Sequence, residues 1–147
     1  MTQEDKELLI KDLCARLPYN VKCCIYNFCE DTVRIKEDIL WSVQGDNILT
    51  LKSCVEKGEA YMYHQIKPYL FPFSSMTREQ LFEVQEILGK NEIEIKDGFL
   101  HIVDSDRNTI SYLEILALLE WFYKNHFDVN NLISMGLAID ATGLNIY

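Results

Sequence analysis

The stretch VKCCIYNFCE, residues 21–30, holds three of the five cysteines and is the first place where this chain could carry chemistry. A structural zinc site needs thiolates at Cys-x-x-Cys spacing, usually twice, so that four ligands close a tetrahedron. Here Cys23 and Cys24 are adjacent, and Cys29 follows after five residues. Adjacent side chains of a strand point to opposite faces. We therefore predict no metal and no cofactor here, and we interpret the cysteines as small buried hydrophobic residues.

A second candidate is the acidic loop DSDRNTISYLE, residues 104–114, which resembles a calcium loop of the EF-hand type. Its candidate ligands are Asp104, Asp106, Asn108 and Glu114. An EF-hand loop also needs glycine at position 6 and a bidentate Glu at position 12. This loop has no glycine, and its Glu114 falls one position early. Ser111 and Glu114 are equally well explained as the capping box of a helix, so we predict that the loop binds no calcium.

Catalytic motifs are missing from the sequence. The three histidines are scattered singly, without the HExxH spacing that would place two ligands on one helix face. No phosphate-binding glycine loop and no GxSxG nucleophile elbow occurs. Glu79, Glu83 and Glu86 share one face of a predicted helix, which is typical of a solvated acidic face rather than of an acid/base pair. We therefore name no catalytic residue.

An aromatic cluster precedes the middle of the chain and is the possible interaction surface. Its members are Tyr61, Tyr63, Tyr69, Phe71 and Phe73. SH3-like domains bind peptides through aromatic residues in such places. The same residues could instead form plain core or a wedge between two parts of the fold.

Composition and charge limit the classes of function. The chain has 147 residues, 48% of them hydrophobic, which is enough to bury the core of one domain. Its net charge is -9, with about -2 in residues 1–73 and -7 in residues 74–147. An acidic chain is a poor general binder of phosphate backbones, so we predict no direct nucleic-acid binding. The longest aliphatic run, residues 115–119, is far too short to cross a bilayer, and we expect a cytoplasmic protein with reduced thiols and no membrane contact.

The first half, residues 1–73, is predicted to be a helix followed by a small sheet. Thr2 and Asp5 form a capping box for the helix, and Pro18 with Asn20 should end it. Short runs rich in β-branched and aromatic residues then follow, at 21–28, 32–35, 39–43, 48–55 and 60–66. This spacing favours a small bent antiparallel sheet or SH3-like barrel. The two prolines of KPYLFPFSSMT, which remove backbone donors, indicate that this segment leaves the sheet.

The second half, residues 74–147, is predicted to be mainly helical and to pack on the first half as one compact unit. Thr77 with Gln80 and Ser111 with Glu114 form capping boxes for two helices, and the second should be buried on most sides. Residues 92–103 could add a hairpin with its turn at 97–98. A last short helix is expected from Asp128, followed by an apolar tail that docks. The predicted class is therefore α+β.

Three blocks of the sequence together resemble a family of short, uncharacterised proteins from Bacteroidales-type gut bacteria and their phages and prophages. The blocks are KDLCARLPY with VK at residues 11–22, IKPYL with SSMT at 66–77, and NHFD with LI, GLA and Ala141 at 125–141. The family pattern has glycine after LPY, where this chain has Asn20, and often a proline near Thr142. The resemblance implies a cytoplasmic, mobile-element setting. It brings no activity and no catalytic residues.

Three hypotheses about function follow. The first is a non-enzymatic interaction module of phage or mobile-element type whose partner is another protein. The second is an acidic inhibitor that mimics nucleic acid and blocks a DNA-binding protein, because the second half is strongly acidic. The third is an enzyme with a pocket between the two halves. The arrangement of the acids distinguishes the first two, since a mimic needs one acidic stripe without interspersed Lys and Arg.

Overall fold

The computed structural model describes residues 1–27, 34–44, 48–89, 92–103 and 110–147. Its first helix, α1 (Gln3–Arg16), begins at the predicted capping box. The Asp5 amide donates to Thr2 Oγ1 at 3.1 Å, and the Thr2 amide donates to Asp5 Oδ2 at 2.7 Å. After α1 the chain makes one turn of 3-10 helix, and Asn20 then adopts a left-handed φ of 56°. Both predicted ends of the first helix are confirmed.

One sheet of six strands follows α1. In chain order the strands are β1 (Lys22–Asn27), β2 (Arg34–Gln44), β3 (Ile48–Leu51), β4 (Tyr61–Met62), β5 (Ile66–Leu70) and, much later, β8 (Ile139–Asp140). Their spatial order is β4-β3-β2-β1-β5-β8, antiparallel throughout except for the parallel pair β5 and β8. The α+β class with a mostly antiparallel sheet is confirmed. The SH3-like barrel is not, because the described strands form no closed barrel.

The strands differ from their predicted bounds because pairing overrides local composition. Residues 36–38, predicted as a break between two strands, lie inside β2 and pair with Ile25, Cys24 and Cys23 of β1. A bulge at Trp41 then shifts the register between β2 and β3. The predicted strands 48–55 and 60–66 are shorter, because each gives way to a turn of 3-10 helix, at Lys52–Cys54 and Tyr63–Gln65.

The prediction that the proline-containing segment leaves the sheet is wrong for β5. This strand lies between β1 and β8 and contains Pro68, which is paired with Cys23. The Leu70 carbonyl accepts a hydrogen bond from the Ala141 amide, so Pro68, two residues earlier, directs its backbone toward the same side. Pairing with β8 starts only at Tyr69. The donor that proline lacks therefore faces a position where no strand is paired.

The second half combines two helices with a hairpin. Helix α2 (Arg78–Ile87) and helix α3 (Tyr112–Lys124) both begin at the predicted capping boxes. Between them, β6 (Glu92–Lys96) and β7 (Phe99–Val103) form the hairpin. Asp97 and Gly98 both have positive φ, 53° and 80°, which is the pattern of a type I′ turn. The last helix expected from Asp128 is wrong, because residues 129–136 form turns, and the mainly helical second half is not confirmed.

The tail docks on the sheet as predicted, since residues 139–140 form the strand β8 that pairs with β5. The main core lies between α1 and the sheet, with Leu9 and Leu13 of the helix fully buried. A second core packs α2, α3 and the hairpin around Phe122 and Phe127. No helix of the described residues is long and apolar enough to span a membrane.

Candidate functional site

The cysteines are mostly core residues. Cys23 lies in the core beneath α1, and Cys24 lies on the other face of the sheet beside Tyr69, so the predicted opposite orientation is confirmed. Cys54 is also buried, whereas Cys14 is exposed, contrary to the interpretation of every cysteine as buried. Burial raises the pKa of the Cys23 thiol, which keeps it protonated and unreactive. Cys29 lies outside the described residues.

The calcium candidate is described only at its last member. Asp104, Asp106 and Asn108 lie outside the described residues. Glu114 is occupied as a cap: the Ser111 amide donates to Glu114 Oε2 at 2.6 Å, and the Glu114 amide donates to Ser111 Oγ at 3.2 Å. Across the described ranges, no three His, Cys, Asp or Glu side chains lie close enough together to hold a metal ion.

The five aromatic residues of the proposed surface face the interior. Tyr61 and Tyr69 are buried, while Tyr63, Phe71 and Phe73 are half-buried. Tyr61 packs in the core beneath α1, Tyr69 on the opposite face of the sheet, and Phe73 in the core of the second half. Phe73 stacks on Phe127 with centroids 5.9 Å apart. The five residues thus belong to the three hydrophobic clusters or pack against them, and they do not form one exposed surface.

An exposed apolar surface occurs instead on α3, where burial was expected. Only Leu118 and Phe122 of this helix are buried. Tyr112 and Leu113 are 73% and 75% exposed, and Ile115 and Leu116 are 44% and 43% exposed. The first two turns of α3 therefore present four large apolar side chains to solvent, and we call these four residues the α3 patch.

Helix α2 lies antiparallel beside α3. The Trp121 Nε1 of α3 donates to Glu83 Oε2 of α2 at 2.9 Å, while a Cβ built at Gly89, just after α2, would lie 3.4 Å from Glu114 Oε1. The exposed face of α2 consists of Arg78, Glu79, Phe82, Glu83 and Glu86, and Phe82 is 61% exposed. Three acidic side chains therefore run along the exposed face of α2, with Arg78 at its first turn, and Glu83 among them contacts α3.

A buried polar centre joins α1 to the chain after α3. Arg16 and Asp12 are both fully buried, and Arg16 Nε donates to Asp12 Oδ2 at 2.6 Å. Arg16 Nη2 also donates to Asp12 Oδ1 at 3.1 Å and to the Phe127 carbonyl at 2.7 Å. Asn130 Nδ2 donates to Asp12 Oδ1 at 2.9 Å. Because its carboxylate already accepts three hydrogen bonds, this centre is suited to hold elements together rather than to react.

His126 and Tyr147 lie next to this centre. Their rings stack at 4.0 Å, and His126 Nδ1 has no hydrogen-bond partner among the described residues. Burial, and then the nearby Arg16 and Lys22, lower the pKa of His126 to about 4. The Tyr147 hydroxyl accepts from the Lys22 amide at 3.1 Å and donates to the Tyr69 carbonyl at 2.9 Å. It thus bridges β1 and β5 just beyond their last direct pair, Cys23 with Pro68.

A cavity of about 390 Å³ lies in the second half, bordered by Pro72 and Phe73 at the junction, by the hairpin turn and by the turns after α3. Its ionisable lining residues are Asp97 and Asp128. Asp128 is buried and accepts hydrogen bonds at 2.8 Å from the amides of Leu132 and Ile133. Ser134 supplies a hydroxyl to the described lining and donates it to the Asn131 carbonyl at 3.0 Å.

Comparisons with models of protein families, with curated proteins and with solved structures found no match to this chain.

Two features were not predicted from the sequence: the buried pair Asp12 and Arg16, and the exposure of the α3 patch. Only the buried pair has a signal in the sequence. Asp12 and Arg16 occupy the same helical face as Leu9 and Leu13, at offsets of three and seven from Leu9, so their charges fall within the apolar stripe. The exposure of the α3 patch has no such signal.

Proposed function

We propose that this chain is a non-enzymatic protein-interaction module and that the α3 patch is its binding surface. The exposed α3 patch is the observation that supports this proposal. Contiguous exposed apolar side chains rimmed by polar residues mark sites of protein contact in soluble proteins. From the resemblance of the three sequence blocks, the proposed setting is the cytoplasm of a Bacteroidales-type bacterium that carries a phage or mobile element.

The charges beside the patch define the partner. Glu83 of α2 contacts Trp121 of α3, and Glu86 lies about one turn closer to the patch. Glu120 lies on the same exposed side of α3 as Leu113 and Leu116. A second copy of this chain would bring these acids against one another. The partner that fits is an amphipathic helical segment of another protein, with apolar anchors for the patch and Lys or Arg at its edges.

The proposal is tested with two synthetic helical peptides of equal length, one patterned with Leu and Lys and the other with Leu and Glu. We expect the Leu/Lys peptide to bind and the Leu/Glu peptide not to bind in a fluorescence anisotropy titration. Replacing both Leu113→Glu and Leu116→Glu should weaken binding at least about 10-fold, since these side chains are exposed and their loss leaves the core intact. The control is Val55→Glu, an exposed apolar residue in the first half of the chain. Equal binding of the Leu/Lys peptide by the unmodified chain, by the double variant and by Val55→Glu would refute the proposal that the α3 patch is the binding surface.

The nucleic-acid mimic is the second candidate, supported by the three acids on the exposed face of α2, although Arg78 interrupts their stripe. Phe82 lies among them and is more exposed than either Ile115 or Leu116, which favours a mixed apolar and acidic contact over a purely acidic one. The two candidates respond differently to mutation. A mimic should lose a basic DNA-binding partner when Glu79, Glu83 and Glu86 are replaced by Gln, and should keep it when Leu113 and Leu116 are replaced by Ala.

A further inference from the structure

The cavity bordered by the hairpin turn and the turns after α3 is separate from the α3 patch. It is lined by Phe73 from the segment after β5, by Asp97 and Phe99 of the hairpin, and by Asp128, Val129 and Ile133 from the turns after α3. Its volume of about 390 Å³ lies in the range of small-molecule sites. Three separate parts of the chain therefore line one half-open, mostly apolar cleft whose lining includes Asp128.

Asp128 is the unusual member of this lining. Only 7% of it is exposed, and burial raises the pKa of its carboxyl group. Each of its oxygens accepts one backbone amide, which leaves further acceptor capacity on both. The nearest described cation, Arg16, is hydrogen-bonded to Asp12 and to the Phe127 carbonyl. The negative charge of Asp128 thus lacks an ion-pair partner of its own among the described residues.

The rest of the lining carries no positive charge. Asp97 adds a second carboxylate at the hairpin turn, and the side chains of Phe73 and Phe99 add aromatic rings. Aromatic faces attract cations, most strongly where water is excluded. An anion would meet two carboxylates, and a neutral molecule would displace water from Asp128 without compensating its charge.

We propose that this cavity binds a small organic ammonium ion with an apolar body. The ammonium group donates to the Asp128 carboxylate, Asp97 adds attraction at the turn, and the apolar body packs against Phe73, Phe99 and Ile133. The ligand class follows from the charge and the volume of the cavity and does not depend on the function proposed for the α3 patch.

Three molecules with the same phenyl body and different charges test the proposal: 2-phenylethylamine, 2-phenylethanol and 3-phenylpropanoate. Each is titrated into the full chain, labelled with nitrogen-15, and amide shifts are followed by NMR. We expect saturable shifts at Gly98, Val129 and Ser134 with the amine, binding at least about 10-fold weaker with the alcohol, and no saturable shift with the carboxylate. Equal affinity for amine and alcohol, or shifts confined to residues outside the cavity, would overturn the proposal.

Variants identify which carboxylate binds the ammonium group. Asp128→Asn should weaken the amine at least about 10-fold, and Asp97→Asn about 3-fold, since asparagine also tolerates the left-handed turn position. Ser134→Trp, at an exposed position of the cavity wall, should block binding and provides a test even if Asp128→Asn fails to fold. The matched control is Glu94→Gln, which removes one exposed charge from the same hairpin outside the cavity. If Ser134→Trp binds the amine as the unmodified chain does, the proposal is wrong.

Discussion

His126 shows how one residue type takes its properties from its surroundings. Its ring is buried against Tyr147, with Arg16 and Lys22 nearby, and its pKa falls to about 4 from an ordinary value near 6.5. The unfolded chain therefore takes up a proton at a higher pH than the folded chain does. The contribution of His126 to the free energy of unfolding is fully present above about pH 6.5 and is lost as the pH falls toward 4. Asp128 has a raised pKa, so its effect at lower pH has the opposite sign.

We predict that the free energy of unfolding falls by about 2 kcal/mol between pH 7 and pH 5 because of His126. In His126→Asn this part of the pH dependence should disappear, and asparagine suits the positive φ of 59° at this position. Urea unfolding at both pH values measures the effect. His64→Asn, at an exposed histidine, is the control and should keep the pH dependence. The same pH dependence in His126→Asn would contradict the prediction.

The buried pair Asp12 and Arg16 gives a second prediction at the residue scale. Asp12→Asn leaves the Arg16 cation buried without its counter-ion, so we expect a loss of about 3–5 kcal/mol of unfolding free energy. The double variant Asp12→Leu with Arg16→Met removes both charges and should be markedly more stable than Asp12→Asn. Urea unfolding of Asp12→Asn and of the double variant measures the difference. A double variant less stable than Asp12→Asn would show that these charges act mainly through contacts other than their mutual pairing.

At the scale of elements, the tail contributes to the sheet through one hydroxyl. The Tyr147 hydroxyl bridges the Lys22 amide and the Tyr69 carbonyl. It takes the position in the β1–β5 ladder where these two groups would otherwise bond directly. Lys22 Nζ also donates to the Ile146 carbonyl. The strand β8 and the Tyr147 ring thus hold the tail on both sides of β5.

We predict that Tyr147→Phe, which keeps the stacked ring but removes the hydroxyl, lowers the unfolding free energy by about 1–2 kcal/mol. Hydrogen exchange at the Lys22 amide should become faster, because this amide loses its acceptor. Tyr112→Phe, which removes a hydroxyl from an exposed tyrosine, is the matched control. Unchanged exchange at Lys22 in Tyr147→Phe would argue against the bridge.

At the scale of the whole molecule, the two halves share structure. Arg16 of α1 binds the Phe127 carbonyl, Asn130 binds Asp12, and β8 from the second half pairs with β5 of the first. The chain has two tryptophans, Trp41 in β2 and Trp121 in α3, one in each half. Trp41→Phe and Trp121→Phe therefore leave one fluorescent reporter each. In each variant, we expect the urea transition followed by the remaining tryptophan to coincide with the transition followed by the helical circular dichroism signal. Separate transitions would mean that the halves unfold independently.

Charge gives the last prediction. With a net charge of -9, the chain should not shift duplex DNA in a gel even at about 10 mM salt, where screening is weakest. Lys22 and Lys67, two of the cations in the first half, have local contacts, with the Ile146 carbonyl and near the Tyr26 ring. Lys52 and Lys57 are exposed, so a shift that is lost in Lys52→Ala with Lys57→Ala would contradict the prediction.

Local signals in the sequence determined where elements begin and end. The three capping boxes at Thr2, Thr77 and Ser111, the end of the first helix before Asn20 and the Asp97-Gly98 turn were all predicted, because each depends on residues within three or four positions of one another. The opposite orientation of Cys23 and Cys24 follows likewise from the alternation of a strand. The α+β class was predictable because it too follows from local signals for helices and strands.

Only the tertiary structure decided which of those elements meet. The periodicity of α3 shows an apolar helix, but how much of the helix is covered depends on packing against α2, so the exposure of Leu113 was not predictable. Pro68 is tolerated in an interior strand because β8, about 70 residues later, begins pairing one residue beyond it. The cavity at Asp128 likewise requires segments far apart in the chain. Such features depend on long-range pairing, whose free energy is not encoded in any short stretch of residues.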